Sequence, residues 1–191
     1  MTLLTERFEQ ALTYTIRLHT SQRRKGKDVP YSAHLLSVAG LVLEHGGTED
    51  EAIAALLHDA IEDQGGAETG KEISRLFGPE VATIVEGCSD TDQKPKPPWR
   101  ERKEAYLAHL PHASDSIRLV SAADKLHNAR SILTDYRALG EKLWPRFRAG
   151  REGTLWYFTQ LAGIFSKHGP KSLAEDLQDV VSELDNRVNG A

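Results

Sequence analysis

The sequence contains a single cysteine, Cys88, among its 191 residues. One cysteine excludes an intramolecular disulfide and a cysteine-rich zinc site, so any bound metal would need histidine and carboxylate ligands. The first ten residues carry charges where a secretory signal would need an apolar run. Because disulfides are also excluded, we expect a protein of a reducing compartment, the cytoplasm.

Long apolar runs and an excess of positive charge are missing as well. No segment stays apolar over the roughly 18 residues of a membrane-spanning helix. Lysine and arginine number 24 against 28 aspartates and glutamates, which gives a formal net charge of −4. Without a basic helix face or a series of stacking aromatics, nucleic-acid binding is disfavoured. We expect neither membrane nor nucleic-acid partners, and the sequence does not indicate an oligomeric state.

The sequence is rich in apolar residues at helical spacing. The first segment shows the pattern at Phe8, Ala11, Leu12, Thr15 and Leu18. Capping-box patterns at Thr48-x-x-Glu51 and Ser172-x-x-Glu175 predict helix starts, and Gly-Gly or Gly-Pro pairs predict helix ends. We therefore predict an all-α fold of about eight to ten helices in one compact domain over residues 1–191. A polar, proline-rich loop is predicted at residues 89–98.

The segment at residues 54–63 combines an apolar run with four ionisable groups. It reads Ala-Ala-Leu-Leu-His-Asp-Ala-Ile-Glu-Asp and is predicted to end the third helix. His58 and Glu62 form one i,i+4 pair, and Asp59 and Asp63 form another, so all four would share one side of the helix. Polar groups at the edge of a core must be paired or have a function.

Two further residues extend this group. His34 lies at the start of the predicted second helix, and Asp124 interrupts an otherwise apolar helical segment. With His58 and Asp59 they supply two imidazoles and two carboxylates from three helices. Such a set suits Mn²⁺, Fe²⁺, Co²⁺, Ni²⁺ or Zn²⁺. It also leaves positions for water and substrate, as a hydrolytic metal centre requires.

Several motifs follow one another in an order typical of a known family. They are Gln22-Arg-Arg-Lys-Gly26, Pro30-Tyr31 with His34, Leu56-Leu-His-Asp-Ala-Ile-Glu-Asp63, Leu76-Phe-Gly-Pro-Glu-Val-Ala-Thr-Ile-Val-Glu-Gly87 and Ala123-Asp-Lys-Leu-His-Asn-Ala-Arg130. Across residues 18–130 the sequence resembles the HD phosphohydrolase superfamily and, more narrowly, the hydrolase domain of the RelA/SpoT homologues, which degrade alarmone nucleotides. The short chain resembles the stand-alone small alarmone hydrolases.

This resemblance implies an HD-type helical bundle and a metal-dependent reaction. The implied reaction hydrolyses the 3′-pyrophosphate of (p)ppGpp or (p)ppApp, releasing pyrophosphate and a nucleoside 5′-polyphosphate. The implied ligands of Mn²⁺, or of another divalent first-row metal, are His34, His58, Asp59 and Asp124. Glu62 and Asp63 are implied to act on the attacking water. The implied substrate contacts are Arg24, Lys25, Asn128, Arg148, Arg151 and Tyr157.

The sequence departs from the family pattern at two positions. Leu35 stands where the family often has proline, and Gln64 stands where threonine often follows Glu-Asp. One alternative is an HD-type phosphatase acting on the 2′-phosphate of NADPH or on a nucleoside monophosphate. Another is a non-catalytic nucleotide sensor, which would be expected to lack a metal ligand or the Glu62-Asp63 pair. All six of those positions are intact.

Overall fold

The computed structural model describes residues 2–91 and 95–190, and within them the protein is built from nine α-helices. The helices are α1 (Glu6–Leu18), α2 (Ser32–Glu44), α3 (Glu49–Leu57), α4 (Ala67–Phe77), α5 (Pro79–Cys88), α6 (Trp99–His109), α7 (Asp115–Leu139), α8 (Gly150–His168) and α9 (Lys171–Asn189). In the described residues, the only extended pairing is an isolated antiparallel bridge between Arg23 and Pro30. The predicted all-α fold is confirmed.

Helix α7 is the centre of the architecture. It is 25 residues long and packs against α2, α3, α5, α8 and α9. One hydrophobic core runs from Ala11 in α1 to Val188 in α9. A domain extending over all of residues 1–191 stays a prediction, since residues 1 and 191 lie outside the described residues. No helix in the described part of the chain has the length and apolarity to cross a membrane.

The two predicted capping boxes have different outcomes. The first is present: the Thr48 hydroxyl accepts from the Glu51 backbone N–H, and the Glu51 carboxylate accepts from the Thr48 N–H at 2.7 Å. The second prediction is wrong, because α9 begins two residues earlier than a Ser172 cap requires, at Lys171, with Pro170 as its N-cap. Proline readily starts a helix through its fixed φ. Ser172 instead forms a hydrogen bond of 2.7 Å with Nδ1 of His45.

The predicted proline-rich loop connects α5 to α6. Residues 92–94 of this loop lie outside the described residues. On one side of them, the Asp90 carboxylate is bound by Arg102 and Lys103 of α6. On the other side, Lys96 reaches back to Glu62, with 2.8 Å between Nζ and Oε1. The described ends of the loop therefore bring a lysine next to one of the predicted catalytic carboxylates.

Gly87 permits a close contact between α5 and α7. A Cβ atom at this position would lie 2.4 to 3.1 Å from three side-chain carbons of Ile117. We expect Gly87→Ala to lower the free energy of unfolding by about 1–3 kcal/mol, the usual cost of overpacking. The measurement is a urea titration followed by circular dichroism.

Gly163→Ala in α8 is the matched control. A Cβ there would meet nothing within 4 Å. Because alanine favours a helix interior, this variant should gain about 0.5–1 kcal/mol. Equal losses in the two variants would contradict the tight α5–α7 contact.

Candidate functional site

Four side chains predicted as metal ligands converge in the interior. His34 lies in the first turn of α2, His58 and Asp59 follow the end of α3, and Asp124 lies midway along α7. The Nε2 atom of His34 is 3.3 Å from Nε2 of His58 and 3.2 Å from Oδ1 of Asp124. Oδ2 of Asp59 lies 3.0 Å from Nε2 of His58. The tight packing of α2, α3 and α7 thus produces the cluster.

Neighbouring groups hold the donor atoms in place. His58 donates from Nδ1 to the carbonyl oxygen of Ala55 at 2.7 Å, which turns its Nε2 toward the cluster. The Tyr31 hydroxyl donates to Oδ2 of Asp59 at 2.6 Å. Asp124 accepts hydrogen bonds from Lys125 on one oxygen and from Asn128 on the other. Each of these three side chains therefore has a defined orientation.

Opposite charges keep the cluster ionised despite its burial. Burial alone would lower the pKa of His58, but the carboxylates of Asp59 and Asp124 hold that pKa well above its usual range. Burial would likewise raise the pKa of Asp59, yet His58 and His34 hold it well below its usual range. Burial would also raise the pKa of Asp124, but Lys125 together with His34 and His58 holds it well below its usual range. The site therefore presents two carboxylate anions beside imidazole nitrogens.

The donor atoms of His34, His58 and Asp59 could hold one divalent ion, and Asp124 lies beside both histidines. Neighbouring ligands of an ion bound at about 2.0–2.2 Å are separated by about 3.0–3.6 Å. The separations that involve a histidine nitrogen run from 3.0 Å for His58–Asp59 to 3.6 Å for His58–Asp124. One donor atom from each of His34, His58 and Asp59 lies within 4.8 Å of the other two. Imidazole with carboxylate suits first-row divalent metals.

Glu62 and Asp63 follow Asp59 in the chain, and the Asp63 N–H still donates to the Asp59 carbonyl at 3.0 Å, as in an α-helix. Helix α3 ends at Leu57, and a π-helical turn, Ile61–Gly65, carries both residues. A π turn changes the angular spacing of side chains relative to an α-helix. Glu62 pairs with Lys96, while Asp63 accepts from Gln22 Nε2 at 2.8 Å.

Both of these carboxyl groups bind protons more readily than usual. Burial raises the pKa of Glu62, and the negative charge of Asp90 raises it further, although Lys96 opposes the shift. The pKa of Asp63 is raised by desolvation and then by the charge of Asp59. Asp59, whose charge raises both pKa values, belongs to the group of His34, His58, Asp59 and Asp124, called here the metal-type cluster. Groups of this kind are suited to accepting a proton from water.

A basic cavity of about 360 Å³ lies beside Glu62. Its cationic lining residues are Lys25, Lys96, Arg102, Lys103 and Arg148. Its aromatic lining residues are Trp99, Phe147, Tyr157 and Phe158. Aromatic faces stack on bases, and clustered cations bind phosphates. The cavity thus combines both kinds of surface that a nucleotide needs.

Larger grooves exist elsewhere, but their charge does not suit a polyanion. One of about 530 Å³ between α1 and α4 has Glu6 and Glu9 against Arg17. Another of about 650 Å³ between α4 and α5 has Glu86 and Asp90 against Lys71. Carboxylates outnumber cations in both, so the smaller basic cavity is the better phosphate site.

Most of the predicted substrate residues gather around the site. Arg24 donates to the side-chain oxygen of Asn128 at 2.7 Å, and Asn128 in turn contacts Asp124. Lys25, Arg148 and Tyr157 line the basic cavity. The Tyr157 hydroxyl is buried with no hydrogen-bond partner among the described residues, which leaves it available to a ligand.

Arg151 is the exception among these predictions. It lies in the first turn of α8, three positions after Arg148, and donates to the Val188 carbonyl at the end of α9 at 3.0 Å. It also donates to Oδ1 of Asn189 at 2.6 Å. The structure does not bring it to the cavity, because the first turn of α8 directs its side chain toward α9. A substrate contact by Arg151 stays a prediction, which these contacts to α9 do not favour.

The sequence reasoning missed several residues at the site. Lys96, Trp99 and Arg102 line the cavity, but they lie in or after a loop that carries no recognisable motif. Gln22 and His127 can be predicted as site residues from the sequence, because both belong to the family motifs described above. His127 follows Asp124 by three positions and therefore falls on the same side of α7.

The helical fold and the His/Asp cluster define the class of the protein as an HD-type helical domain. A family model described as "HD domain" matches residues 11–155. The chain therefore belongs to the HD domain family.

Similar proteins with known names indicate which members of the HD domain family this chain resembles. The chain is 40% identical over 126 residues to "Guanosine-3′,5′-bis(diphosphate) 3′-pyrophosphohydrolase MESH1" of Xenopus tropicalis, covering 64% of this chain and 68% of that protein. The human protein of the same name is 36% identical over 126 residues, covering 64% and 68%. "GTP pyrophosphokinase rsh" of Brucella melitensis is 33% identical over 174 residues, covering 90% of this chain and 22% of that protein.

Solved structures agree on the fold. The structure of a metazoan SpoT orthologue that hydrolyses ppGpp matches with a TM-score of 0.80 at 24% identity, covering 96% of this chain and 98% of that one. The crystal structure of lmo0812 from Listeria monocytogenes matches with a TM-score of 0.68 at 26% identity, covering 79% and 97%. The resemblance to RelA/SpoT-type hydrolase domains is confirmed.

Proposed function

We propose that the protein hydrolyses the 3′-pyrophosphate of an alarmone nucleotide, (p)ppGpp or (p)ppApp, and releases pyrophosphate and a nucleoside 5′-polyphosphate. One observation carries this proposal: Lys96 joins the basic cavity to the carboxylates beside the metal-type cluster. It lines the cavity, and its ammonium group is 2.8 Å from Glu62. The names of the MESH1 relatives support the same reaction.

In this proposal His34, His58, Asp59 and Asp124 hold one Mn²⁺ ion, or another divalent first-row metal. When bound, such an ion lowers the pKa of water and polarises a phosphoryl oxygen. Two histidines and two carboxylates leave the remaining coordination positions to water and substrate. The absence of a disulfide agrees with a cytoplasmic location, which stays a prediction.

Glu62 or Asp63 accepts a proton from the attacking water. The water oxygen forms a bond to the phosphorus that carries the 3′ oxygen, and the bond between that phosphorus and the 3′ oxygen breaks. The proton held by the carboxyl group then passes to the 3′ oxygen, so the nucleoside leaves as a 3′-hydroxyl. Burial, which raises the pKa of Glu62, favours such temporary protonation.

The cavity binds the remaining phosphates and the base. Arg102 and Lys103 are already paired with Asp90. Among residues 2–91 and 95–190, no carboxylate forms an ion pair with Lys25 or Arg148. These two side chains provide charge for a 5′-polyphosphate, while Trp99 and Phe147 provide apolar surface.

Lys25→Met tests this phosphate-binding role. Losing a hydrogen bond between charged groups should raise KM roughly 10–100-fold and leave kcat nearly unchanged. Lys27→Met is the control, because Lys27 lies in the same loop but its ammonium group is 2.6 Å from Asp135. The control should change KM by less than about threefold. Equal effects of both variants on KM would contradict a specific contact by Lys25.

Product analysis tests the proposed reaction. Metal-stripped protein is incubated with guanine and adenine 3′-pyrophosphate nucleotides and with NADPH, with and without Mn²⁺, and pyrophosphate is resolved from orthophosphate. We expect pyrophosphate from one or both 3′-pyrophosphate nucleotides, only when Mn²⁺ is present. Orthophosphate alone would instead indicate a phosphatase, and tight nucleotide binding without turnover would indicate a sensor.

A further inference from the structure

His127 forms a direct contact with the buried ligand candidate His34. The Nδ1 atoms of the two rings are 2.8 Å apart, and the ring centres are separated by 4.8 Å. The His34 side chain is fully buried. Its Nε2 atom faces the cluster, so Nδ1 is the ring nitrogen that remains for a supporting hydrogen bond.

Two nitrogens this close must share one proton, because one donates and the other accepts. If Nε2 of His34 binds a metal, that atom must be unprotonated, and a neutral His34 then carries its proton on Nδ1. The Nδ1–H group can donate only if Nδ1 of His127 presents a lone pair. His127 must consequently carry its own proton on Nε2.

We propose that His127 is a positioning residue that accepts a hydrogen bond from His34 and thereby presents the Nε2 lone pair of His34 to the metal. Partners of this type orient ligating histidines and increase their basicity. His58 obtains the same support from the backbone carbonyl of Ala55, which no side-chain substitution removes. His34 depends on a side chain, so its support can be tested by mutation. The inference rests on the metal centre of the proposed function.

The first readout is the location of the shared proton. Zn²⁺ serves as a diamagnetic probe, and the protein is labelled with ¹⁵N at histidine. We expect a scalar coupling across the hydrogen bond between the two Nδ1 atoms, with the proton attached to His34. A proton attached to Nδ1 of His127, or no coupling, would overturn the inference.

The second readout is metal affinity, measured through the electron paramagnetic resonance signal of free Mn²⁺. His127→Leu should weaken Mn²⁺ binding about 10–100-fold, the usual effect of losing a partner of a metal ligand. His127→Asn places an acceptor oxygen where Nδ1 was and should restore affinity to within a few-fold of wild type. His45→Leu removes a histidine bonded to Ser172, away from the cluster, and should leave affinity unchanged.

The outcomes separate this inference from the proposed function. Wild-type affinity in His127→Leu, or no recovery in His127→Asn when circular dichroism shows both variants folded, would refute the role of His127 alone. Failure of the wild-type protein to bind Mn²⁺ or Zn²⁺ would refute the metal centre itself, and the inference with it.

Discussion

Asp59→Ala is expected to lower the rate of pyrophosphate release on the order of 10³-fold or more, since several kcal/mol of transition-state stabilisation depend on the metal. Asp59 directs Oδ2 to within 3.0 Å of His58 and 3.5 Å of His34, so its removal opens one side of the donor set. It also supplies a negative charge that the cluster needs to attract a cation. Mn²⁺ binding and turnover should therefore fall together.

Asp28→Ala is the matched control for this experiment. Asp28 lies on the surface and pairs only with Arg23 among the described residues. Its removal should change neither Mn²⁺ affinity nor turnover, and circular dichroism should show both variants folded. If Asp59→Ala kept wild-type turnover while folded, Asp59 would not be a ligand needed for the reaction.

Glu62→Gln and Asp63→Asn should separate proton transfer from metal binding. The variant that removes the proton acceptor should lose about 10²–10⁴-fold in kcat, the usual contribution of general base catalysis. Both variants should still bind Mn²⁺, because their side chains point to Lys96 and Gln22 rather than into the donor set. Near-normal kcat in both would contradict the proposed use of this pair.

The pH dependence gives an independent test of Glu62. The active form of a base is the ionised carboxylate, so kcat should fall as pH decreases through its pKa. Burial is the largest cause of the raised pKa of Glu62. A metal ion bound by Asp59 would leave this burial unchanged. The acidic limb of the profile should therefore lie above the ordinary range for a glutamate. Glu62→Gln should abolish that limb if Glu62 is the base.

Local patterns predicted most of the metal-type cluster. His34, His58, Asp59 and Asp124 each lie next to strongly apolar helical residues, and packing of those apolar faces necessarily brings the polar groups together. The same reasoning predicted the all-α fold and the Thr48 cap, because helical periodicity and capping depend on residues close in sequence.

Features that depend on tertiary packing were not predictable in the same way. The π turn at Ile61–Gly65, which carries Glu62 and Asp63, has no signal in the apolar periodicity of the sequence. Lys96 reaches Glu62 across 34 positions of sequence. Arg151 contacts Val188 across 37 positions of sequence, which no local pattern indicates.

Gln64 shows how a departure from the family pattern is accommodated. Its amide donates to Oε1 of Gln22 at 2.5 Å, and the amide of Gln22 donates to Asp63. His19 also contacts Oε1 of Gln22, at 2.6 Å. Gln64 thus supports a predicted catalytic carboxylate through one intermediate residue, a role that spacing alone does not indicate.

A titration of the metal-free protein with Mn²⁺, with pyrophosphate release from a 3′-pyrophosphate nucleotide recorded at each step, tests the central claim most directly. The four-ligand cluster predicts no activity without metal and a linear rise that ends at one ion per chain. In Asp124→Ala, both Mn²⁺ binding and the rise in activity should be absent. Full activity in the metal-free protein, or an unchanged titration in Asp124→Ala, would contradict the account.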